Sequence, residues 1–592
     1  MRKFKSMVIA AMLTAVLLFV LTQASADVGG GAASEEETTV SGIIEDKLRD
    51  YLTRAAEDEL ISVTIELVDH VDLDEVERIA ASRAGVSDML EVVNGYLHGG
   101  EIDDSAQEIM AEFYDLIAEE KKKVLEEYYK SENAKFLLSV GISEEQCESI
   151  GIYMPYIRGV LLTPSQIIEL AANPEVCAIS WGSPYKFTDF APIDDTYYII
   201  NGNVSVEAAY TGSGIRVGMV EAGQPKLGVM GSDFKNIIKT DTGDDTDHAT
   251  IVGGIIKKMV PSCTLYSRSA SSSDDAIAAC ETLISKYSVK VINMSCGSIG
   301  SGTYDTYSGQ LDALIKSTGV PIVVAAGYGS ASSQYMNNLA ISANAITVGS
   351  VTSSGRNQGT TGAYAFPSNS IYLENISAMN KPDVCAPGNV QIYTYSSQQR
   401  SSFAAAHVTG AIAQMLCRDS GFAGKPEALK AALMASASYN AGTSMTYVTG
   451  TRASNQEGAG VIDAGFCYRV AKNGRSKIYT ATSSSTPITC DITCDYTSVP
   501  LRIACAWGVI SSGSTTKVTD YDIVVYKNGK VVASSNACSN STTKPNANYE
   551  IIEIPVSTLS TYGAGTYQVK ISRSGTYNGS ESIRIGLAWE QR

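Results

Sequence analysis

At 592 residues the chain is long enough for about three to four domains of ordinary size. Its net charge of −18 is unevenly spread: residues 27–190 hold 35 acidic and 12 basic side chains, whereas residues 191–592 together carry only +2. With no basic stripe and no recognition motif, that balance excludes a nucleic-acid-binding protein, and it sets an acidic N-terminal piece apart from a nearly neutral remainder.

The first residues read as an export signal. Arg2, Lys3 and Lys5 form a charged start, Met7 to Leu21 an apolar run, and Ala24-Ser25-Ala26 a small-residue cleavage site. A single membrane anchor is the alternative, but the run is short for a span. No later segment reaches a transmembrane length, so the expectation is a secreted or cell-surface protein without a membrane span once residues 1–26 are removed.

Residues 27–190 follow. After a Gly/Ala/Glu-rich leader (Val28 to Thr39), Leu60 to Leu67 reads as a strand and Leu73 to Ala84 as a helix. Ile157 to Leu162 reads as a second strand, SQIIELAANPEV as a short helix capped by Ser165, and Cys177 to Trp181 as a third strand. Two β-α halves of this kind make a small α+β sandwich. Between them, at about 86–151, lies an insertion whose stretch Ser105 to Leu138 is charged and helically periodic, which predicts a helical hairpin. A generic helical domain is the alternative for the region.

Across 191–475 short Val/Ile-rich runs bounded by Gly and Ser (IRVGMVE, TLYSRSA, VKVINMSCG, PIVVAAG, AITVGSV) alternate with helical stretches such as Asp274 to Tyr287 and Gly309 to Thr318. That rhythm predicts an α/β domain, a parallel sheet with helices on both faces. From Ser476 to the end the composition turns to Ser, Thr, Tyr and Asn with strict alternation, and Asn528-Gly529 is a two-residue hairpin signal. Residues 476–592 therefore predict a β-sandwich. The twelve cysteines show no framework spacing. Several (Cys296, Cys385, Cys505) sit in apolar runs, so buried thiols and export-permitted disulfides both stay open. Cys490 and Cys494 lack the partner pair a zinc site needs.

Three stretches carry chemistry: VGMVEAG, with Glu221 ending a strand; DHATIVGGII, with His248 entering a helix; and SSFAAAHVTGAIA, with Ser402 entering another. A serine at a helix N-terminus has free backbone N–H groups and a favourable dipole beside it, which suits a nucleophile, although a serine there can also be a plain cap. Of the four histidines, His70 and His98 fall in the acidic piece and His407 reads as a packed core residue, so His248 is the candidate general base. A carboxylate is needed to hold that imidazole in one tautomer. The acidic neighbours Asp244, Asp245 and Asp247 lie on the entry loop to His248 and are poor substitutes for Glu221.

In this order the three stretches resemble the subtilisin-like serine peptidases (the subtilase family). Ser402, Ala404, His407, Val408 and Gly410 match the serine signature, with Arg400 and Ser401 for its Gly-Thr and Ala406 for its Pro. Thr250, Val252, Gly254 and Ile255 match the histidine signature, with Ala249 for its Gly. Two positions depart further: Glu221 stands where the family has Asp, adding a methylene that makes the carboxylate overshoot unless strand or histidine shifts, and Tyr328 stands where it has the oxyanion asparagine. Loss of one oxyanion donor costs roughly 10²–10³ in rate, a magnitude known from a subtilisin asparagine. Either the Tyr328 hydroxyl completes a rebuilt hole or its ring fills the pocket.

The resemblance implies a secreted serine endopeptidase made as an autoinhibited precursor. Residues 27–190 would be an inhibitor-like prodomain removed near Ser183 to Tyr197, 191–475 the catalytic domain, and 476–592 similar to the jelly-roll domains that follow many subtilases. Glu221, His248, Ser402 and Tyr328 would be catalytic, and Ser295, Gly297, Ala326 and Gly327 would line an extended protein or peptide substrate, the glycines leaving room for its side chains. No cofactor is required; a structural calcium stays open and no metal ligands are assigned. Lys381 to Gly388 (KPDVCAPG) is a further family hallmark that shapes structure. Two other readings remain: a pseudopeptidase whose cleft only binds, and a surface adhesion protein acting through its C-terminal sandwich.

Overall fold

The computed structural model describes residues 43–53, 55–97, 104–147, 149–181, 200–227, 235–298, 300, 302–327, 336–352, 371, 380–388, 400–437, 457–482, 487–512, 515–536, 547–574 and 582–591. The signal, the leader, the stretch Ser183 to Tyr197 and Tyr328 lie outside them. The chain divides into two compact units, one taking residues up to Val68 with Glu145–Glu148 and Tyr156–Gly182, the other Asp69–Glu144, Ser149–Pro155 and Ser183–Arg592.

In the first unit the strand Ile61–Leu67 runs antiparallel to Tyr156–Leu162 on one side and to Val176–Trp181 on the other, with Val63 opposite Val160 and Ile65 opposite Ile179. The helix Pro164–Ala171 starts from Thr163, not from Ser165. Thr163 Oγ1 accepts the Gln166 N–H while the Gln166 side chain accepts the Thr163 N–H, and Pro164, with its fixed φ, takes the first helical position.

The second unit begins with three helices. α1 (Leu73–Ala84) is capped by Asp72 and stopped by Gly85 at φ 74°; α2 (Ser87–Leu97) follows. The predicted helical hairpin is instead one continuous helix, α3 (Asp104–Val140), because those 37 residues contain neither Gly nor Pro to turn the chain. Met110, Phe113 and Ile117 on one face of α3 pack with Ala80, Ala81 and Val93, and exposed pairs such as Lys123–Glu120 line its outer side.

The core of this unit is a seven-stranded, all-parallel sheet: β1 (Arg216–Glu221), β2 (Ile237–Lys239), β3 (Thr264–Ser269), β4 (Val291–Met294), β5 (Ile322–Ala325), β6 (Ile346–Val351) and β7 (Val384–Pro387), in the order β7-β6-β5-β4-β1-β3-β2. The central strands are buried on both faces, which is why they read as largely apolar runs. β2 and β7 went unread in the sequence, being three and four residues long. The helices α4 (Asp247–Met259), α5 (Ser273–Tyr287), α6 (Thr306–Thr318), α7 (Ser401–Arg418), α8 (Pro426–Ser436) and α9 (Ala464–Lys472) complete the α/β fold. α7 is buried almost throughout and packs on β4 to β7 and on α4.

Residues from Ser476 form two four-stranded antiparallel sheets, besides a short two-stranded one of Ile510–Ser512 and Thr515–Lys517, from β8 (Ser476–Ala481), β9 (Ile488–Cys494), β10 (Leu501–Trp507), β11 (Asp520–Lys527), β12 (Lys530–Ser535), β13 (Tyr549–Ile554), β14 (Gly565–Ser574) and β15 (Ile583–Gln591). Their orders are β8-β15-β10-β13 and β9-β14-β11-β12. Asn528 (φ 52°) and Gly529 (φ 75°) turn the β11–β12 hairpin, both in the left-handed conformation that such a tight turn requires. The eleven described cysteines are free thiols, eight of them fully buried or nearly so. Among the described residues no helix is long and apolar enough to cross a membrane.

Candidate active site

Parallel strands bring their C-terminal ends to one edge of the sheet, and the site is built there. Glu221 is the last residue of β1 and is 1 % exposed. His248 is the second residue of α4, a helix that starts where Thr246 Oγ1 accepts the Ala249 N–H. The two meet: Glu221 Oε2 lies 2.7 Å from His248 Nδ1. The extra methylene of the glutamate is thus accommodated, and the carboxylate fixes the ring with Nε2 facing away from it. Glu221 Oε1 has no partner and is buried. The Phe403 ring, fully buried, lies 5.5 Å from the imidazole and forms one wall for it. Two of the neighbouring acids are engaged elsewhere, Asp247 with Lys226 at 2.8 Å and Asp245 with Lys239.

Ser402 is the second residue of α7. No side chain caps this helix start, so the Ser402 N–H is one of the donors that the helix itself cannot satisfy. Its hydroxyl donates to the Ser295 carbonyl at 3.5 Å and shares no hydrogen bond with His248. The Ser295 hydroxyl in turn donates to the Ser402 carbonyl at 3.2 Å and accepts from Asn293 Nδ2 at 2.7 Å, and the Thr409 hydroxyl donates to Asn293 Oδ1 at 3.1 Å. A buried polar chain therefore ties the end of β4 to the first and third turns of α7.

The end of β5 is clamped on the same helix. Gly327 N–H donates to Ser401 Oγ (3.0 Å), and that hydroxyl donates to the Gly327 carbonyl (2.8 Å). Ala326 donates to Val348 and its carbonyl accepts the Asn337 N–H. Of the four residues expected to line a substrate, Gly297 alone keeps both backbone groups without a partner among the described residues. His407 stays apart from this chemistry: its Nδ1–H donates to the Phe403 carbonyl at 2.8 Å, and burial pushes its pKa down to about 4. Cys296, beside Gly297, is pushed well up, first by burial and then by the Glu221 charge. Among the described residues no three His, Cys, Asp or Glu side chains gather to hold a metal ion.

Residues 230–460 match the model of the Subtilase family. The chain carries a subtilase domain. The matched span includes His248, Ser402 and both strand ends, and it begins just after Glu221. Among solved structures, the subtilase domain is similar to a protease from Pseudoalteromonas arctica, 18% identical with a TM-score of 0.35, over 47% of this chain and 98% of that one. It is also similar to MycP1 from Mycobacterium smegmatis (17% identical, TM-score 0.34, 48% of this chain and 88% of that one). A third similar structure is the self-cleaved protease domain of PatA (17%, 0.35, 44% and 98%). No curated protein matches the chain.

Asn293, Phe403 and Thr409 were missed in the sequence as parts of the site. An asparagine inside VINM, an otherwise apolar strand, was the available signal for the first, since a buried amide needs partners.

Proposed function

We propose that this subtilase-family serine peptidase is an exported endopeptidase working through an acyl-enzyme. Ser402 attacks the scissile carbonyl, His248 Nε2 takes its proton and later passes it to the leaving amine, and Glu221 holds the imidazole and stabilises its protonated form. The Ser402 N–H is one donor to the developing oxyanion, and the Tyr328 hydroxyl is the second. Residues 27–190 act as the prodomain, cut away near Ser183 to Tyr197. The observation that carries this reading is the 2.7 Å contact between a buried carboxylate and His248 Nδ1, which leaves Nε2 as the proton-accepting nitrogen.

The competing reading, a pseudopeptidase, draws on the Ser402 hydroxyl, which bonds to Ser295. In unliganded peptidases such bonds are often misaligned, and rotation about one side-chain torsion redirects the hydroxyl. One experiment decides: wild type and Ser402→Ala are treated with an alkyl fluorophosphonate and followed by mass spectrometry. Labelling of the wild type alone, with self-processing that depends on Ser402, is expected; an unlabelled, unprocessed wild type would leave only the binding role. Tyr328→Phe tests the second donor, with a loss of roughly 10²–10³ in rate expected and an unchanged rate ruling the hydroxyl out.

A further inference from the structure

The two strand ends that flank Ser402 leave a gap between them, bounded by Gly297 on one side and Gly327 on the other. That gap is where the side chain preceding the scissile bond would descend, because a peptide whose carbonyl sits at Ser402 and whose backbone pairs with Gly297 must direct a neighbouring side chain inward. Glycine at both positions opens the space. The structure shows it already occupied.

Asn337 fills it. Its side chain stands directly over Gly297, where a Cβ added to the glycine would overlap both amide heteroatoms. On the opposite side, a Cβ on Gly327 would come within 3.1 Å of the Asn337 nitrogen and 3.6 Å of its Cβ. The amide is also fixed. Nδ2 donates to the Cys296 carbonyl at 3.1 Å and to the Ala325 carbonyl at 3.3 Å, and so ties the end of β4 to the end of β5. Oδ1 accepts the Leu339 N–H at 3.0 Å, and the Asn337 backbone N–H donates to Ala326. Both amide protons are used, so rotating the side chain out of the gap would break three hydrogen bonds and strand two carbonyls. At 5 % exposure the residue is buried, and its hydrogen bonds hold it rigidly in the gap.

We infer that Asn337 is the specificity-determining residue of this site and restricts the substrate residue before the scissile bond to Gly, Ala or Ser. The inference rests on the peptidase reading above. A small side chain fits above the amide, whereas Leu, Phe or Tyr must displace a group that is bonded to both strands. Removing the side chain in Asn337→Gly opens the gap, and water entering it satisfies the carbonyls of Cys296 and Ala325.

The test uses the full chain, as isolated after any self-processing, and peptidyl phosphonates that end in Ala or Phe. The Ala probe is expected to label Ser402 at least about 100-fold faster than the Phe probe. Asn337→Gly is expected to bring the Phe probe to within about tenfold of the Ala probe. Equal labelling of the native chain by both probes would overturn the inference and leave the peptidase reading standing. Labelling by none of them, the alkyl fluorophosphonate included, would overturn both. If Asn337→Gly lowers the melting temperature too far to be handled, the native chain still decides: cleavage sites in denatured casein are mapped by mass spectrometry. New C-termini ending in Gly, Ala or Ser support the assignment, and bulky residues there refute it.

Discussion

The Glu221–His248 pair is the point where the subtilase domain departs from the subtilase pattern and still joins a buried carboxylate to the imidazole. Shortening the acid should therefore harm it. Glu221→Asp withdraws the carboxylate from Nδ1 by about one bond length, a misplacement of the size that costs about 10²-fold in rate. Glu221→Gln keeps the reach but loses the charge and invites the wrong tautomer, and about 10⁴-fold is expected. Labelling rates of Ser402 by the fluorophosphonate measure both, and a faster Glu221→Asp enzyme would show that the glutamate is a defect the site tolerates. His407 gives a second residue-scale prediction, on stability. Its folded pKa of about 4 lies below the ordinary 6.5, so the unfolded chain binds the extra proton first. Its contribution to stability is present above pH 6.5 and is lost as pH falls from there to about 4, a swing of about 3 kcal/mol. Asp312 works in the opposite sense: burial raises its pKa to about 6, so it gains as pH falls through the same window. The difference between wild type and His407→Gln, measured by urea unfolding at pH 7 and pH 4.5, isolates the histidine, and the wild type should lose more.

At the scale of elements, the site is a helix start clamped between two strand ends, and the clamps are polar. Ser295→Ala removes the donor to the Ser402 carbonyl and leaves Asn293 Nδ2 without its acceptor. A net loss of about 1 kcal/mol is expected, read as roughly fivefold in kcat with KM nearly unchanged, because the hydroxyl positions the nucleophile's backbone. A change confined to KM would place Ser295 in substrate binding instead. This scale also marks how far the sequence could be read. The long buried strands, the two signature helices and the Asn528-Gly529 hairpin each announce themselves through local composition and period. Ser402 and His248 were legible for the same reason, since their neighbours repeat a known pattern. Asn337 was not legible: its role comes from meeting Gly297, forty residues away, through backbone ties among Met336, Gly300, Asn338 and Ser298 that no periodicity encodes. The start of the helix at Thr163 was missed because Ser165 is an equally good cap in isolation, and Pro164 decides between them.

For the molecule as a whole, the C-terminal sandwich and the subtilase domain share one hydrophobic core. Ala504 and Ala506 of β10, Tyr549 and Ile551 of β13 and Ala588 of β15 are buried in the same cluster as Leu429, Ala432 and Leu433 of α8. Polar ties cross the same contact. Asn344 and Val509 exchange two hydrogen bonds of 2.8 and 3.0 Å, and Lys430 reaches both Asp383 (2.9 Å) and Asn548 (3.2 Å). Gly586 sits where any side chain would run into the backbone of Glu427 and Ala428, so sheet and helix approach to backbone contact. A chain cut after 475 would expose that apolar face of α8 and take Asn548 from Lys430 and Val509 from Asn344. It is expected to be insoluble or to unfold without a cooperative transition, and residues 476–592 alone to fare no better. Gly586→Val asks the same question more gently. Overpacking against backbone costs about 1–3 kcal/mol and lowers the melting temperature of the subtilase domain by about 2–6 °C, although the substitution lies in the sandwich. Calorimetry of the full chain should show the two parts melting together and shifting together in the variant. Two independent transitions, with only the sandwich moved by Gly586→Val, would instead mark the sandwich as a separable module of the kind an adhesion protein carries.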